Sequence, residues 1–182
     1  FQGQKCSACS RVIVLDEIYD KFVGRLVEAA KSIFVANAEV PDSFVGPVID
    51  AEAQARILRM IETGKSEAKL AMQVEVPNAG YYVPPTIFVD VNPKAAIAQD
   101  EIFGPVLAVI RAKNIEAAIE IANDVDYALT GGVFSRSPAN IEKVKAGLEV
   151  GNLYINRGIT GALVERHPFG GFKLSGGGTK AG

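Results

Sequence analysis

Residues 106–155 read VLAVIRAKNIEAAIEIANDVDYALTGGVFSRSPANIEKVKAGLEVGNLYI. Apolar, β-branched runs at 106–111, 130–135 and 151–155 are typical of strands, and helix-forming stretches lie between them at 115–123 and 138–146. Strands that alternate with helices favour right-handed crossovers. This stretch therefore predicts an α/β fold, with a mainly parallel twisted sheet flanked by helices.

The same alternation continues towards the N-terminus, where three further strands are predicted at 11–15, 68–76 and 86–89. Asp16 can cap an amphipathic helix that reaches Phe34. A second helix is predicted over 50–63, and we expect Gly64 to end it. No internal repeat or linker interrupts the pattern, so the 182 residues predict one domain.

Composition excludes several classes of function. The net charge is -2 and the pI about 5.5, which disfavours nucleic acid or an anionic membrane as a partner. No apolar run approaches the roughly 20 residues that cross a bilayer. We expect a soluble, cytoplasmic protein without a secretory signal. A start without Met and an abrupt glycine-rich end also predict a chain truncated at both ends.

The two cysteines, Cys6 and Cys9, are the candidate nucleophiles. A pair three residues apart, with His167 as the single histidine, predicts neither a disulfide framework nor a zinc site. Cys6 follows a flexible Gly-Gln-Lys lead-in, and one helical turn over residues 7–10 would aim free amides at its sulfur. Lys5 would add positive charge. From the residues alone, a buried inert cysteine is the favoured interpretation.

The segment GQKCSACSR, residues 3–11, resembles the Gly-Gln-x-Cys signature of the aldehyde dehydrogenase superfamily. The resemblance implies that Cys6 is the nucleophile that attacks an aldehyde, with hydride then passing to nicotinamide and water releasing the acid. Cys9 stands where relatives carry a small residue, so a packing role is expected for it. In this family the general-base Glu and an oxyanion-binding Asn come from sequence outside these 182 residues.

The segment QDEIFGPV, residues 99–106, supplies a possible cofactor edge. A carboxylate can accept two ribose hydroxyls, and an aromatic ring can limit where a nicotinamide rests. A capping Glu and a core Phe are the structural alternative. EIFGPV resembles a second hallmark of the superfamily, which implies that Glu101 binds the nicotinamide ribose of NAD and Phe103 lies against the nicotinamide. NADP is the alternative cofactor.

The rest of a dinucleotide site is not predicted within the chain. No GxGxxG motif follows a strand and opens a helix, so we expect the NAD-binding Rossmann domain to be absent and NAD not to be held tightly. The glycine run at 176–178 predicts a flexible tail instead.

The segment GNLYINRGITGALVERHPFGGFKLS, residues 151–175, carries the third resemblance. It is similar to the branch of the superfamily that oxidises glutamate semialdehyde to glutamate in proline breakdown. The resemblance implies that Ser7, Gly161 and Ala162 anchor the substrate carboxylate and that Phe169 packs on its aliphatic part. Without the resemblance, Gly161 is a turn glycine and Ser7 a helix cap. Asn156 is predicted at the end of a strand, where loop residues often meet ligand.

Two cations, Arg157 and Lys173, could steer an acidic substrate, although solvated surface charge is the ordinary explanation for both. His167 precedes a proline in a loop, which gives little support to a Cys/His hydrolase or acyltransferase. The sequence thus predicts an NAD-dependent enzyme acting on a small-molecule aldehyde, a homo-oligomer at full length, with this fragment inactive alone. An aldehyde dehydrogenase for another semialdehyde and a non-catalytic fragment that only folds or binds a partner are the alternatives.

Overall fold

The computed structural model describes residues 1–163 and 165–181, which form two units. The first unit contains Phe1–Lys5 and Cys9–Arg111, and the second contains Cys6–Ala8 and the chain from Ala112 on. Each unit combines strands with helices. No helix among the described residues has both the length and the apolar character needed to span a membrane.

The first unit is built on a four-stranded sheet with the order β1-β4-β3-β2. Strands β3 and β4 are parallel, whereas β2 runs antiparallel to β3. Its elements, in chain order, are β1 (Arg11–Leu15), a 3-10 turn (Asp16–Ile18), α1 (Tyr19–Ala30), α2 (Ala51–Glu67), β2 (Lys69–Gln73), β3 (Thr86–Val89), α3 (Ala96–Gln99) and β4 (Val106–Ala112).

Helix α2 does not end at Gly64 as predicted but continues to Glu67. The glycine serves packing instead. A Cβ on Gly64 would lie 2.7 Å from the ring of Phe88, a fully buried residue of β3, so only a glycine lets the helix approach the sheet this closely. The N-terminus of the helix is as expected, because the side chain of Asp50 accepts a hydrogen bond from Ala53 N.

The first helix is shorter than predicted, and Asp16 does not cap it. The Asp16 carboxylate instead pairs with Arg111 at 2.7 Å, and Arg111 also pairs with Asp20 at 2.8 Å. The guanidinium of Arg111 lies 3.8 Å from the ring centroid of Tyr19. Asp16, which the local pattern predicts as the helix cap, is thus used in a tertiary ion pair. The chain enters α1 through a 3-10 turn instead.

The second unit contains two small sheets. Strands β6 and β7 are parallel, with Thr130 opposite Asn152, and β5, β8 and β9 form an antiparallel sheet in the order β5-β8-β9. Its elements are α4 (Ile115–Asn123), β5 (Tyr127–Ala128), β6 (Thr130–Val133), α5 (Pro138–Gly147), β7 (Asn152–Ile155), β8 (Phe169–Lys173) and β9 (Gly178–Ala181). The prediction of a flexible tail over 176–178 is wrong for Gly178, because this residue begins β9 and pairs with Gly171.

The α/β prediction is confirmed, with parallel pairs β3-β4 and β6-β7 in the two units. The antiparallel strands were not specified by the sequence. Strands β8 and β9 are rich in glycine and lack the alternation of apolar residues that marks most strands. The pairing of β8 with β9 therefore depends on how closely their two backbones can approach each other, and not on a hydrophobic pattern.

Candidate functional site

Cys6 is exposed, and the next residue, Ser7, is buried with 4% of its surface accessible. Both lie in a turn, and the helical turn predicted over residues 7–10 is not formed. That prediction is wrong because the chain passes directly from the turn into extended residues that lead to β1. Cys6 is thus an exposed residue on a turn.

The residues before Cys6 are fixed by two glutamine side chains. Gln2 Nε2 donates to Pro47 O at 2.7 Å, and Gln4 Oε1 accepts from Ile49 N at 2.9 Å. The two glutamine side chains thus bond to backbone groups of Pro47 and Ile49, as a neighbouring strand would do with its own backbone. They attach the segment to the loop before α2. This role of Gln2 and Gln4 is not predicted from the sequence, where two glutamines on either side of a glycine are the only signal for it.

Gly3 brings this segment against the second motif of the sequence. Its φ is +74°, and a Cβ there would lie 2.5 Å from the carbonyl carbon of Gly104, closer to the carbonyl oxygen, and 3.0 Å from Pro105 N. The obstacle is backbone, which cannot rotate away as a side chain can. Both the positive φ and the contact therefore require glycine at this position.

The second motif adopts a constrained backbone at the same place. Phe103 has a φ of +52°, which is uncommon for a residue with a side chain, and it is half-buried. The carbonyl of the preceding Ile102 accepts a hydrogen bond from Arg56 of α2. Glu101 is exposed, so its carboxylate is available to a ligand. Glu101 and Phe103 thus lie on either side of Ile102, which is buried and hydrogen-bonded, in the unit that also contains Gly3.

Cys9 differs from Cys6 in its surroundings. Its Sγ donates to Arg11 O at 3.4 Å. Although the residue has exposed surface, its thiol is packed among protein atoms, and this desolvation raises the pKa of Cys9, while the backbone hydrogen bond at Arg11 opposes the shift. A raised pKa keeps the sulfur protonated and therefore poorly nucleophilic.

The loop after β7, residues 156–163 and 165–168, contains the proposed carboxylate anchors, and we name it the anchor loop. Gly161 and Ala162 are both half-buried. His167 closes the loop: its Nδ1 accepts from Leu163 N at 3.2 Å, and its own N–H donates to Leu163 O at 3.0 Å. A histidine before a proline in a loop belongs to no helical or strand periodicity, so this role of His167 is not predicted from the sequence.

Asn156 holds the start of the anchor loop with its side chain. Its Oδ1 accepts from Ser135 N at 2.8 Å and its Nδ2 donates to Ser135 O at 3.0 Å, so the amide extends the β6-β7 pairing by one step. Its φ of +55° turns the chain out of β7. Asn is well suited to this left-handed conformation. The residue lies at the end of a strand as predicted, but its amide binds the protein.

Phe169 begins β8 and is half-buried, opposite Ala181 in β9. Cys6, Ser7, Gly161, Ala162 and Phe169 all belong to the second unit, whereas Glu101 and Phe103 belong to the first. The residues predicted to react and to bind substrate are thus grouped in one unit. Those predicted to meet the cofactor lie in the other, beside the residues that lead into Cys6.

Comparison with known proteins gives a consistent assignment. Residues 1–182 match the model of the aldehyde dehydrogenase family. A 1-pyrroline-5-carboxylate dehydrogenase of Anoxybacillus flavithermus is 51% identical over 183 residues, which is 100% of this chain and 36% of that protein. The chain therefore spans about a third of the length of this curated relative.

Two solved structures extend the match to three dimensions. Proline utilization A from Bdellovibrio bacteriovorus superposes with a TM-score of 0.96 at 63% identity, covering 100% of this chain and 19% of that one. A 1-pyrroline-5-carboxylate dehydrogenase from Thermus, solved with bound NAD, gives a TM-score of 0.95 at 49% identity, covering 100% of this chain and 35% of that one.

Proposed function

The chain belongs to the aldehyde dehydrogenase family, and from that premise we propose that it forms the catalytic part of an enzyme that oxidises glutamate semialdehyde, derived from 1-pyrroline-5-carboxylate, to glutamate. The similarity to 1-pyrroline-5-carboxylate dehydrogenases at about half identity supports this substrate. The observation that carries the proposal is the contact of Gly3 with Gly104 in the first unit, because it places the residues that precede Cys6 in sequence against the motif that contains Glu101 and Phe103.

Cys6 is the proposed nucleophile. It is the exposed cysteine of the turn, and the raised pKa of Cys9 argues against the other thiol. The Cys6 thiolate attacks the aldehyde carbon, and the carbonyl oxygen then carries negative charge. Backbone N–H groups of the Cys6–Ser7 turn are the nearest donors along the chain to stabilise that charge. Once the carbon has lost hydride to a two-electron acceptor, the substrate is a thioester on Cys6, and water then releases the acid and restores the thiol.

NAD is the proposed cofactor, and Glu101 and Phe103 fit one edge of it. Glu101 offers an exposed carboxylate to ribose hydroxyls, and the left-handed Phe103 presents a half-buried ring next to it. NAD, when bound, supplies the two-electron acceptor that aldehyde oxidation requires. Glu101 would orient the nicotinamide ribose and Phe103 would confine the nicotinamide ring. Neither residue takes part in proton transfer.

The substrate carboxylate is proposed to bind at Ser7, Gly161 and Ala162, with Phe169 against the aliphatic chain. Backbone N–H groups can surround an anion where a glycine lets it approach closely. Ser7 is next to the nucleophile in sequence, so a carboxylate held there lies near the reacting thiol. The half-burial of Gly161 and Ala162 is consistent with an anchor that is partly shielded from water.

The 182 residues alone are proposed to be inactive and to bind NAD weakly, because they contain no glycine fingerprint for the dinucleotide phosphates. We further propose a cytoplasmic homo-oligomer at full length. Two free cysteines are usual in a reducing compartment, and the family resemblance supports assembly.

The test is NADH formation from 1-pyrroline-5-carboxylate by a full-length protein that carries these residues, compared with its Cys6→Ser and Cys9→Ser variants. We expect Cys6→Ser to lower kcat by about 10³-fold or more, because the nucleophile is lost. Cys9→Ser is the matched control and should retain activity within a few-fold. Full activity in Cys6→Ser, or loss only in Cys9→Ser, would overturn the assignment.

A further inference from the structure

Two cations of the second unit, Arg157 and Lys173, were equal candidates to meet an acidic substrate, and the structure separates them. Lys173 Nζ donates to Asn123 O and, at 3.0 Å, to Val125 O. Its charge thus satisfies carbonyls at the C-terminal end of α4, where a cation is favourable. Lys173 is occupied by the fold and is not available to a ligand.

Arg157 has a different environment. The residue is exposed, and no Asp or Glu of the described chain pairs with it. Its guanidinium carbon lies 5.6 Å from the ring centroid of Tyr154, a buried residue of β7. A cation over an aromatic face is held in direction without being neutralised. The guanidinium therefore keeps its hydrogen-bond donors for another group.

The guanidinium reaches the anchor loop at Gly161. A Cβ on Gly161 would lie 2.6 Å from Arg157 Nη2. A side chain at position 161 would therefore occupy the space that the guanidinium now uses. The absence of a side chain there lets the cation stand beside Gly161, one of the residues that the proposed function assigns to the carboxylate.

A cavity of about 350 Å³ adjoins the guanidinium. Its lining includes Tyr154, Arg157, His167 and Pro168, all in the second unit. It is open to solvent on one side. The surface combines an aromatic ring, an imidazole and one unneutralised guanidinium, which suits a small ligand with an anionic end.

We propose that Arg157 is a specificity-determining residue that pairs with the carboxylate of the aldehyde substrate, next to Gly161. This inference rests on the proposed function and adds a charged partner to the backbone anchors. The planar guanidinium can bind a carboxylate through two parallel hydrogen bonds, which a lysine cannot reproduce. Arg157 thereby selects an aldehyde that has an acidic group at its far end.

The experiment measures kcat and KM of the full-length protein for 1-pyrroline-5-carboxylate and for pentanal, an aldehyde of the same chain length without the carboxylate. We expect Arg157→Gln to lower kcat/KM for the acidic substrate about tenfold, chiefly through KM, because a charged hydrogen bond is lost. The value for pentanal should be unchanged. Arg157→Lys should recover part of the loss, and less of it in high salt.

Arg166→Gln is the matched control, since Arg166 is an exposed cation of the same loop. It should leave both substrates unaffected. If Arg157→Gln lowers kcat/KM equally for both substrates, Arg157 has a structural role and the inference is overturned. If Arg166→Gln lowers kcat/KM for the acidic substrate as much as Arg157→Gln does, the effect comes from the overall positive charge of the loop, and the inference is again overturned. If the unaltered protein does not prefer the acidic aldehyde, the proposed function itself fails, which is a distinct result.

Discussion

The cysteine segment, residues 2–9, and the anchor loop carry the two halves of the proposed reaction, and they are held in different ways. The cysteine segment combines side-chain hydrogen bonds of Gln2 and Gln4 with a backbone contact, in which Gly3 lies against the carbonyl of Gly104 with no room for a methyl group. The anchor loop rests on side chains: Asn156 bonds to Ser135, and His167 bonds to Leu163. Side-chain hydrogen bonds hold both regions, and the cysteine segment adds a close backbone contact to them.

The difference corresponds to what each region must do. A nucleophile has to meet its substrate in one geometry, because a small misplacement costs much of the rate. A loop that selects the far end of a substrate tolerates more variation. We therefore expect substitutions in the cysteine segment to affect folding and chemistry strongly, and substitutions in the anchor loop to affect local order and substrate choice.

The largest effect is expected from Gly3→Ala compared with Gly158→Ala. The first introduces a methyl group into a backbone contact at a φ of +74°, whereas a Cβ on Gly158 meets nothing within 4 Å. We expect Gly3→Ala to lower the free energy of unfolding by about 3 kcal/mol, and Gly158→Ala to change it by less than about 0.5 kcal/mol. Urea denaturation of both variants measures the two changes.

A second control for Gly3→Ala is Gly24→Ala, in α1, where the added Cβ also meets nothing within 4 Å. Alanine favours a helix, so this variant should be more stable by about 0.5–1 kcal/mol. Equal stabilities of Gly3→Ala and Gly158→Ala would remove the distinction between the two regions.

A smaller effect is expected at Asn156, the first residue of the anchor loop. Asn156→Ala removes both hydrogen bonds to Ser135 and places alanine at a φ of +55°. The expected cost is about 1–2 kcal/mol in the free energy of unfolding. Asn156→Gly loses the bonds but accepts the conformation, so it should be less affected. If glycine is as destabilising as alanine, the hydrogen bonds alone account for the effect and the backbone conformation does not.

His167 should affect local order more than global stability. His167→Leu removes the acceptor for Leu163 N–H, and we expect faster hydrogen exchange of that amide, corresponding to about 1 kcal/mol of local protection. His167→Asn keeps an acceptor near the position of Nδ1 and should restore most of the protection. Unchanged exchange in the leucine variant would contradict the role assigned to His167.

The smallest effect concerns the pH dependence of Cys9 in the cysteine segment. Desolvation raises its pKa, so in a Cys6→Ser variant alkylation of Cys9 should begin at higher pH than for a free cysteine. Because the folded pKa is the higher one, the contribution of Cys9 to stability is present below the unfolded pKa and lost as pH rises through the folded value. Rates of iodoacetamide labelling, folded and in urea, should give separate midpoints. Coincident midpoints would contradict the desolvation.

Much of the fold could be predicted because its signals are local. The apolar runs of β3, β4 and β7, and the helical periodicity of α4 and α5, were identified within a few residues. The errors arose where a residue serves a distant partner. Asp16 was assigned to a helix cap but pairs with Arg111, and Gly64 was assigned to a helix end but admits the ring of Phe88.

The candidate site follows the same rule. The motif around Cys6 predicts a nucleophile, but the hydrogen bonds of Gln2 and Gln4 join the motif to residues 45 positions away, which no local pattern reveals. His167 and Arg157 carry no periodic signal either. Their roles depend on Leu163, Tyr154 and Gly161, which approach them only once the anchor loop is folded.

The most direct test of the central claim is to trap the acyl group on the protein. A full-length protein carrying these residues is mixed with NAD and 1-pyrroline-5-carboxylate, quenched in acid, and digested at low pH with pepsin to give a peptide that contains Cys6 and Cys9, because amines stay protonated there and leave the acyl group on its sulfur. Fragmentation of that peptide by mass spectrometry locates the added group. We predict a glutamyl thioester on Cys6 and none on Cys9. An adduct on Cys9, or unaltered cysteines during turnover, would contradict the account.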